Sequence, residues 1–152
     1  MRISARADYA IRASAELAAR AGGDPVRAEE LAERQEIPQR FLEGILSDLR
    51  RAGVVTSVRG ARGGHRLARA GEDITLADVI RAVDGPLVYV RDERPSDLEF
   101  SGAAEPLLEV WVALRANVRA VLEAVTLADL ASGRLPESVR ALAADDAAWS
   151  QG

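Results

Sequence analysis

The apolar residues change period at Gly53, and this switch limits the fold more than any other feature of the chain. Before it, apolar positions recur at three- and four-residue spacing, which predicts helices. After it come Val54-Val55-Thr56-Ser57-Val58, a β-branched run, then a glycine-rich stretch, then His65-Arg66-Leu67-Ala68, a second short run. Two such runs around glycines predict a hairpin.

The helical part divides at its breakers. Ser4 caps a first helix that reaches Ala21, with Ala10, Ser14, Leu17, Ala18 and Ala21 on one face, and Gly22-Gly23 with Pro25 ends it. A short second helix covers residues 27–35, with Ala28, Leu31 and Ala32 on its apolar side. Pro38 opens a third, in which Phe41, Leu42, Ile45, Leu46 and Leu49 form the buried stripe. Its outward residues are Gln39, Arg40, Glu43, Ser47, Arg50 and Arg51, and Gly53 caps its end. Three helices followed by a hairpin is the order of a winged helix-turn-helix. The expected fold class is therefore mainly α: a winged helix-turn-helix DNA-binding domain over residues 1–86, with a two-stranded wing, plus a long C-terminal dimerisation helix.

Charge supports that reading once it is split. The net charge is −4, but residues 1–70 hold thirteen arginines against nine acids, whereas residues 71–152 hold seven against fifteen. Every basic residue is arginine, and seven of them lie between Pro38 and Arg69 against two acids, Glu43 and Asp48. Guanidinium groups are planar and multi-donor, which suits phosphates and guanine edges. In the major groove Gln39 can read adenine, Arg40 guanine and Glu43 a cytosine amino group. A plainer reading has Arg40 on phosphate alone and Glu43 capping or pairing with an arginine. Arg50 and Arg51, at the far end of the helix, are phosphate clamps or packing partners. Arg59 and Arg62 sit on a hairpin tip thin enough for a minor groove. Gly60, Gly63 and Gly64 permit the turn and let backbone amides approach phosphate. His65 is a strand residue placed to touch sugar or phosphate beside the wing.

The remaining chemistry is excluded by composition. There is no cysteine and one histidine, which removes disulfides, thiol switching, zinc–thiolate sites and cysteine-ligated clusters. Nothing is left to assign to catalysis, so no enzyme, cofactor or metal is expected. No stretch approaches the ~18 consecutive apolar residues of a membrane span. The first residues lack the apolar core of a signal peptide, so a cytoplasmic location is expected.

Beyond the wing, Thr75 and Asp78 resemble a capping box for a fourth helix, which Asp84-Gly85-Pro86 stops. Residues 87–104 show no period and read as an exposed loop. Residues 105–144 are expected to hold the dimerisation helices, and the tail 145–152 is expected to be loose unless Trp149 anchors it. In the long helix Leu107, Trp111, Leu114, Val118, Val121 and Val125 alternate steps of four and three, the spacing of a two-chain seam. Thr126-Leu127-Ala128-Asp129-Leu130 then echoes the cap at Thr75.

Several of these pieces recur together, in order, in one known group. Tyr9-Ala10, Phe41-Leu42-Glu43, Leu49-Arg50-Arg51-Ala52-Gly53-Val54-Val55, Ser57-Val58-Arg59-Gly60, Gly63-Gly64, Leu67-Ala68-Arg69 and Val83-Asp84-Gly85-Pro86 resemble the Rrf-type winged-helix regulators, the group that includes IscR, NsrR and CymR. The resemblance implies a homodimeric transcription factor, a repressor by preference, that binds an imperfect palindrome in double-stranded DNA. It leaves open a small-molecule or protein effector, with room for a pocket between the long helix, the loop and the DNA-binding module. It also leaves open an interaction module that is controlled by a protein partner and has weak or lost DNA binding, as in CymR-like cysteine regulation. Many members hold an iron–sulfur cluster on three cysteines in the loop that corresponds to residues 87–104, and here that loop has none. Asp8 stands where some members supply a non-cysteine ligand; alone it reads as a solvated or ion-paired surface residue. The Trp111–Arg115 spacing echoes the CymR branch.

Overall fold

The computed structural model describes residues 1–150; Gln151 and Gly152, the end of the tail expected over 145–152, lie outside the described residues. Helices α1 (Ala5–Ala19), α2 (Ala28–Gln35) and α3 (Gln39–Arg51) precede strands β1 (Val55–Val58) and β2 (Gly64–Leu67). The Ser4 hydroxyl caps α1 by accepting from the Ala7 amide at 2.9 Å. Between α2 and α3, Glu36 takes a left-handed conformation (φ 51°) and Ile37 is buried, which makes the tight turn of the helix-turn-helix. The wing strands are antiparallel, with Val55 opposite Leu67 and Ser57 opposite His65.

One core joins these elements. Leu31 of α2, Leu42, Ile45 and Leu49 of α3, and Val54 and Val55 at the wing's base are all buried in a single cluster with Ile74. Each such side chain stabilises the fold by roughly 1.5–3 kcal/mol relative to leaving it in water. Phe41 departs from the expected buried stripe, being 39% exposed. It lies at the margin of the α3 stripe, and its ring packs instead on Tyr9, with centroids 5.8 Å apart.

Part of the C-terminal half returns to this core. Helix α4 (Leu76–Asp84) and helix α6 (Leu127–Ser132) start side by side: the Leu76 amide donates to the Val125 carbonyl at 3.0 Å and the Leu127 amide to the Ile74 carbonyl at 2.9 Å. Both starts are closed by full capping boxes, Thr75 with Asp78 and Thr126 with Asp129. Leu127 enters the same core as Leu31 and Leu42, and α6 packs on α1. Residues 125–132 therefore share a core with the helices of residues 1–86. Val125, counted in the seam by its spacing, is buried inside the protomer because this backbone pairing holds it there, past the end of α5 (Leu107–Leu122).

Residues 87–104 are pinned rather than fully exposed. Val88, Pro95 and Leu98 are buried, Val90 and Glu93 pair across a tight turn, and the turn at Pro95–Asp97 packs on α5. Helix α7 (Glu137–Ala143) has no buried residue. Trp149 is 77% exposed and donates its indole N–H to the Ala143 carbonyl, so it ties the tail to α7 and does not insert into the core.

Candidate nucleic-acid interface

The outer side of α3 and the wing form one cationic face. Gln39, Arg40, Glu43, Arg50 and Arg51 are exposed on α3, in agreement with the outward set read from its period, whereas Ser47 of that set is half-buried. Arg40 lies over the Phe41 ring, 4.8 Å from its centroid, and Arg12 lies over Tyr9 at 5.0 Å. A ladder of Arg12, Tyr9, Phe41 and Arg40 thus links α1 to the start of α3. Helical period alone assigned Phe41 to the core and so missed this ladder.

The far end of α3 is bound to its surroundings through two separate arrangements. Asp48 accepts from Arg6 of α1 and from Arg51 at 3.1 Å, so the Arg51 charge is partly neutralised while its side chain stays exposed. Arg50 donates to the Ser57 hydroxyl at 3.1 Å, and that oxygen lies 3.2 Å from Nδ1 of His65. Arg50, Ser57 and His65 therefore tie the recognition helix to both wing strands. Ser57 could have been found only from the strand register, which sets it opposite His65.

The wing is attached at its root as well. His65 and Val26 exchange backbone hydrogen bonds of 2.7 and 2.9 Å, which fastens β2 to the segment before α2. Arg27 reaches the tip and donates to the Ala61 carbonyl at 2.6 Å, a tether that the sequence reading did not identify. Gly63 and Gly64 both stand where a side chain has no room. A Cβ on Gly63 would come within 2.3 Å of the Val58 carbonyl oxygen, and one on Gly64 within 2.6 Å of the Val26 carbonyl oxygen. Arg59, Arg62 and Arg66 are exposed, with no ion-pair partner among the described residues, and Gly60 shapes the tip at φ 107°.

Partial burial, and then the Arg50 charge, push the His65 imidazole below its ordinary range, against a smaller opposite pull from Glu29. The Ser57 hydroxyl, accepting from Arg50, can donate to Nδ1 only while that nitrogen is unprotonated. Folding thus favours neutral His65. Below about pH 6.5 the unfolded chain protonates its imidazole while the folded chain still resists, so stability falls as the pH drops through that value towards the folded-state pKa. Melting temperatures measured across this window should fall more steeply for the wild type than for His65→Gln. Equal slopes would remove His65 as the source.

A family model, Rrf2, described as an iron-dependent transcriptional regulator, matches residues 3–133. The chain belongs to the Rrf2 family. It is 52% identical to the HTH-type transcriptional regulator Rv1287 of Mycobacterium tuberculosis, over 95% of this chain and 90% of the relative. Among solved structures it is similar to CymR, the global cysteine regulator of Bacillus subtilis, with a TM-score of 0.71 and 34% identity over 88% of this chain and 98% of that one. It is also similar to IscR of T. potens, with a TM-score of 0.68 and 31% identity over 100% of this chain and 94% of that one. This Rrf2 protein is accordingly a winged helix-turn-helix, DNA-binding transcriptional regulator and not an enzyme. Among the described residues, no helix is long and apolar enough to cross a membrane.

Iron, which the family description implies, does not fit the donors of this Rrf2 chain. Cluster chemistry asks for thiolates, and the chain has no cysteine. Its single histidine is committed to the wing, and Asp8 pairs with Arg12 at 3.1 Å on the surface of α1. Among the described residues, no three histidine, cysteine, aspartate or glutamate side chains come together as a metal site.

Proposed function

We propose that the protein acts as a homodimer on an imperfect palindrome, with α3 of each protomer in a major groove and each wing tip at the flanking minor groove or backbone. The observation that carries this reading is the continuous face on which Gln39, Arg40 and Glu43 precede the fixed Arg50–Ser57–His65 link and the uncompensated Arg59 and Arg62. Gln39, Arg40 and Glu43 supply base contacts; Arg50, Arg59, Arg62 and the backbone at Gly60, Gly63 and Gly64 supply phosphate or minor-groove contacts. His65 holds the wing to α3 rather than reading DNA, and Arg51 acts through Asp48.

Dimerisation is supported by α5. Sixteen residues long, it carries Leu107, Leu108, Val110, Trp111, Val112, Leu114, Val118, Val121 and Leu122, yet none of its residues is buried in the protomer. A second copy covering this helix would place two wings and two recognition helices about its symmetry axis, matching half-sites about 34–36 Å apart. Bound across a promoter, such a dimer acts as a repressor.

The test is a salt titration of operator binding. Arg59→Ala should weaken binding, most on A·T-rich flanks, and if Arg59 contacts one phosphate the slope of log K against log salt should fall by about 0.9 per half-site. Identical affinity and slope for variant and wild type would refute the placement of the wing.

A further inference from the structure

Four arginines converge on a cleft that takes no part in the DNA-binding face. Arg81 from the last turn of α4, Arg94 from the loop, and Arg115 and Arg119 from successive turns of α5 line a space of about 330 Å³, with Pro86 and Leu87 as its apolar wall. That volume lies at the small end of ligand sites. None of the lining residues is acidic. Glu123, on the edge, accepts from Arg119 at 3.0 Å and also from Arg81. Asp78 lies 3.8 Å from Arg81. Arg94 and Arg115 have no ion-pair partner among the described residues. Like charges one turn apart on a helix repel, as Arg115 and Arg119 do here. A cluster so placed, concave and short of counter-charge, is built to receive an anion.

We propose that this cleft binds a small molecule bearing two or three anionic groups, carboxylate or phosphate, gripped by Arg94 and Arg115 and competing with Glu123 for Arg81 and Arg119. Planar guanidinium forks suit both groups, each able to take a bidentate pair. The cleft admits a small molecule and not a duplex, and none of its walls comes from α3 or the wing. Its position gives binding a consequence. Arg81 belongs to the helix-turn-helix module, Arg115 and Arg119 to α5, and Glu123 bridges the two. A ligand that draws Arg81 and Arg119 from Glu123 replaces that bridge and alters how the module is held on α5. The coupling to DNA affinity rests on the regulator reading above; anion binding does not, and it is measured on the free protein.

Citrate and pyrophosphate serve as probes, titrated calorimetrically into the full chain at constant ionic strength, with sodium chloride as the control. At least one should bind saturably, one molecule per protomer. Arg94→Gln and Arg115→Gln should each weaken that binding by ~10-fold or more, with melting temperatures close to wild type. Glu123→Gln removes the competitor and should tighten binding, an effect that a purely structural ion pair would not produce. Failure of both probes to exceed the chloride control would overturn the proposal, as would equal binding by wild type and both arginine variants, or weaker binding by Glu123→Gln. Monomeric Arg115→Gln in sedimentation with unchanged probe binding would also overturn it, since the arginine would then serve a second copy.

Discussion

Glutamate in place of Val110 or Leu114 is expected to split the proposed dimer and to lower affinity for a full palindrome by roughly 10²–10⁴, the factor lost when two linked binding events become independent. The two positions lie one turn apart on the same face of α5, and differ in how far the protomer already covers them. Val110 is 54% exposed in the protomer, so a carboxylate there meets water and leaves the fold untouched. Leu114 is half-buried in the stripe of Leu107, Trp111, Val118 and Val121, already partly covered by its own chain. In a two-fold interface each substitution appears twice, and each buries an unpaired charge at a cost of several kcal/mol. Sedimentation should show monomers for both variants, with the melting temperature of Val110→Glu close to that of a dissociated wild type. If only Leu114→Glu is monomeric, the interface follows the stripe alone. If both remain dimers, α5 does not hold the protomers together.

Periodicity says which face of a helix is apolar and is silent about what covers it. The change of period at Gly53, the caps at Ser4 and Thr75 and the outward set on α3 were legible because each depends on neighbours within a turn or two. Val125 and Leu127 were not, since their burial follows from the pairing of two distant helix starts, Thr75 with Thr126. Both capping boxes could be read as boxes; that they meet could not. Phe41 shows the same limit, because helical spacing cannot distinguish a core ring from one stacked at the margin between Tyr9 and Arg40. A pocket between the long helix, the loop and the DNA-binding module was left open by the resemblance, but its arginine lining was hidden for another reason. Arg81, Arg94, Arg115 and Arg119 all lie in the acidic half of the chain, where a regional charge sum cancels what folding brings together.

The wing should be lost to DNA binding by a single methyl group. Gly64 lies at φ 156°, directly before the backbone exchange between His65 and Val26. A Cβ there would come within 2.6 Å of the Val26 carbonyl oxygen and 2.7 Å of its carbon, both backbone atoms that no rotamer change can move aside. Gly64→Ala must therefore push β2 away from the segment before α2, breaking the 2.7 and 2.9 Å hydrogen bonds of that exchange. Alanine forced into a conformation it disfavours costs more than ~1 kcal/mol before the lost bonds are counted. His65 is displaced with the strand, so the link through Ser57 to Arg50 is lost and the wing tip no longer has a fixed position relative to α3. The core formed by Leu31, Leu42, Ile45 and Leu49 does not involve Gly64, so the helices should persist. Hydrogen exchange should show the amides of Val26 and His65 unprotected and those of α3 protected, with operator affinity reduced by ~10-fold or more. Retained protection at Val26 and His65 would mean that the backbone yields at this point, and the wing would then be less rigidly held than its geometry requires.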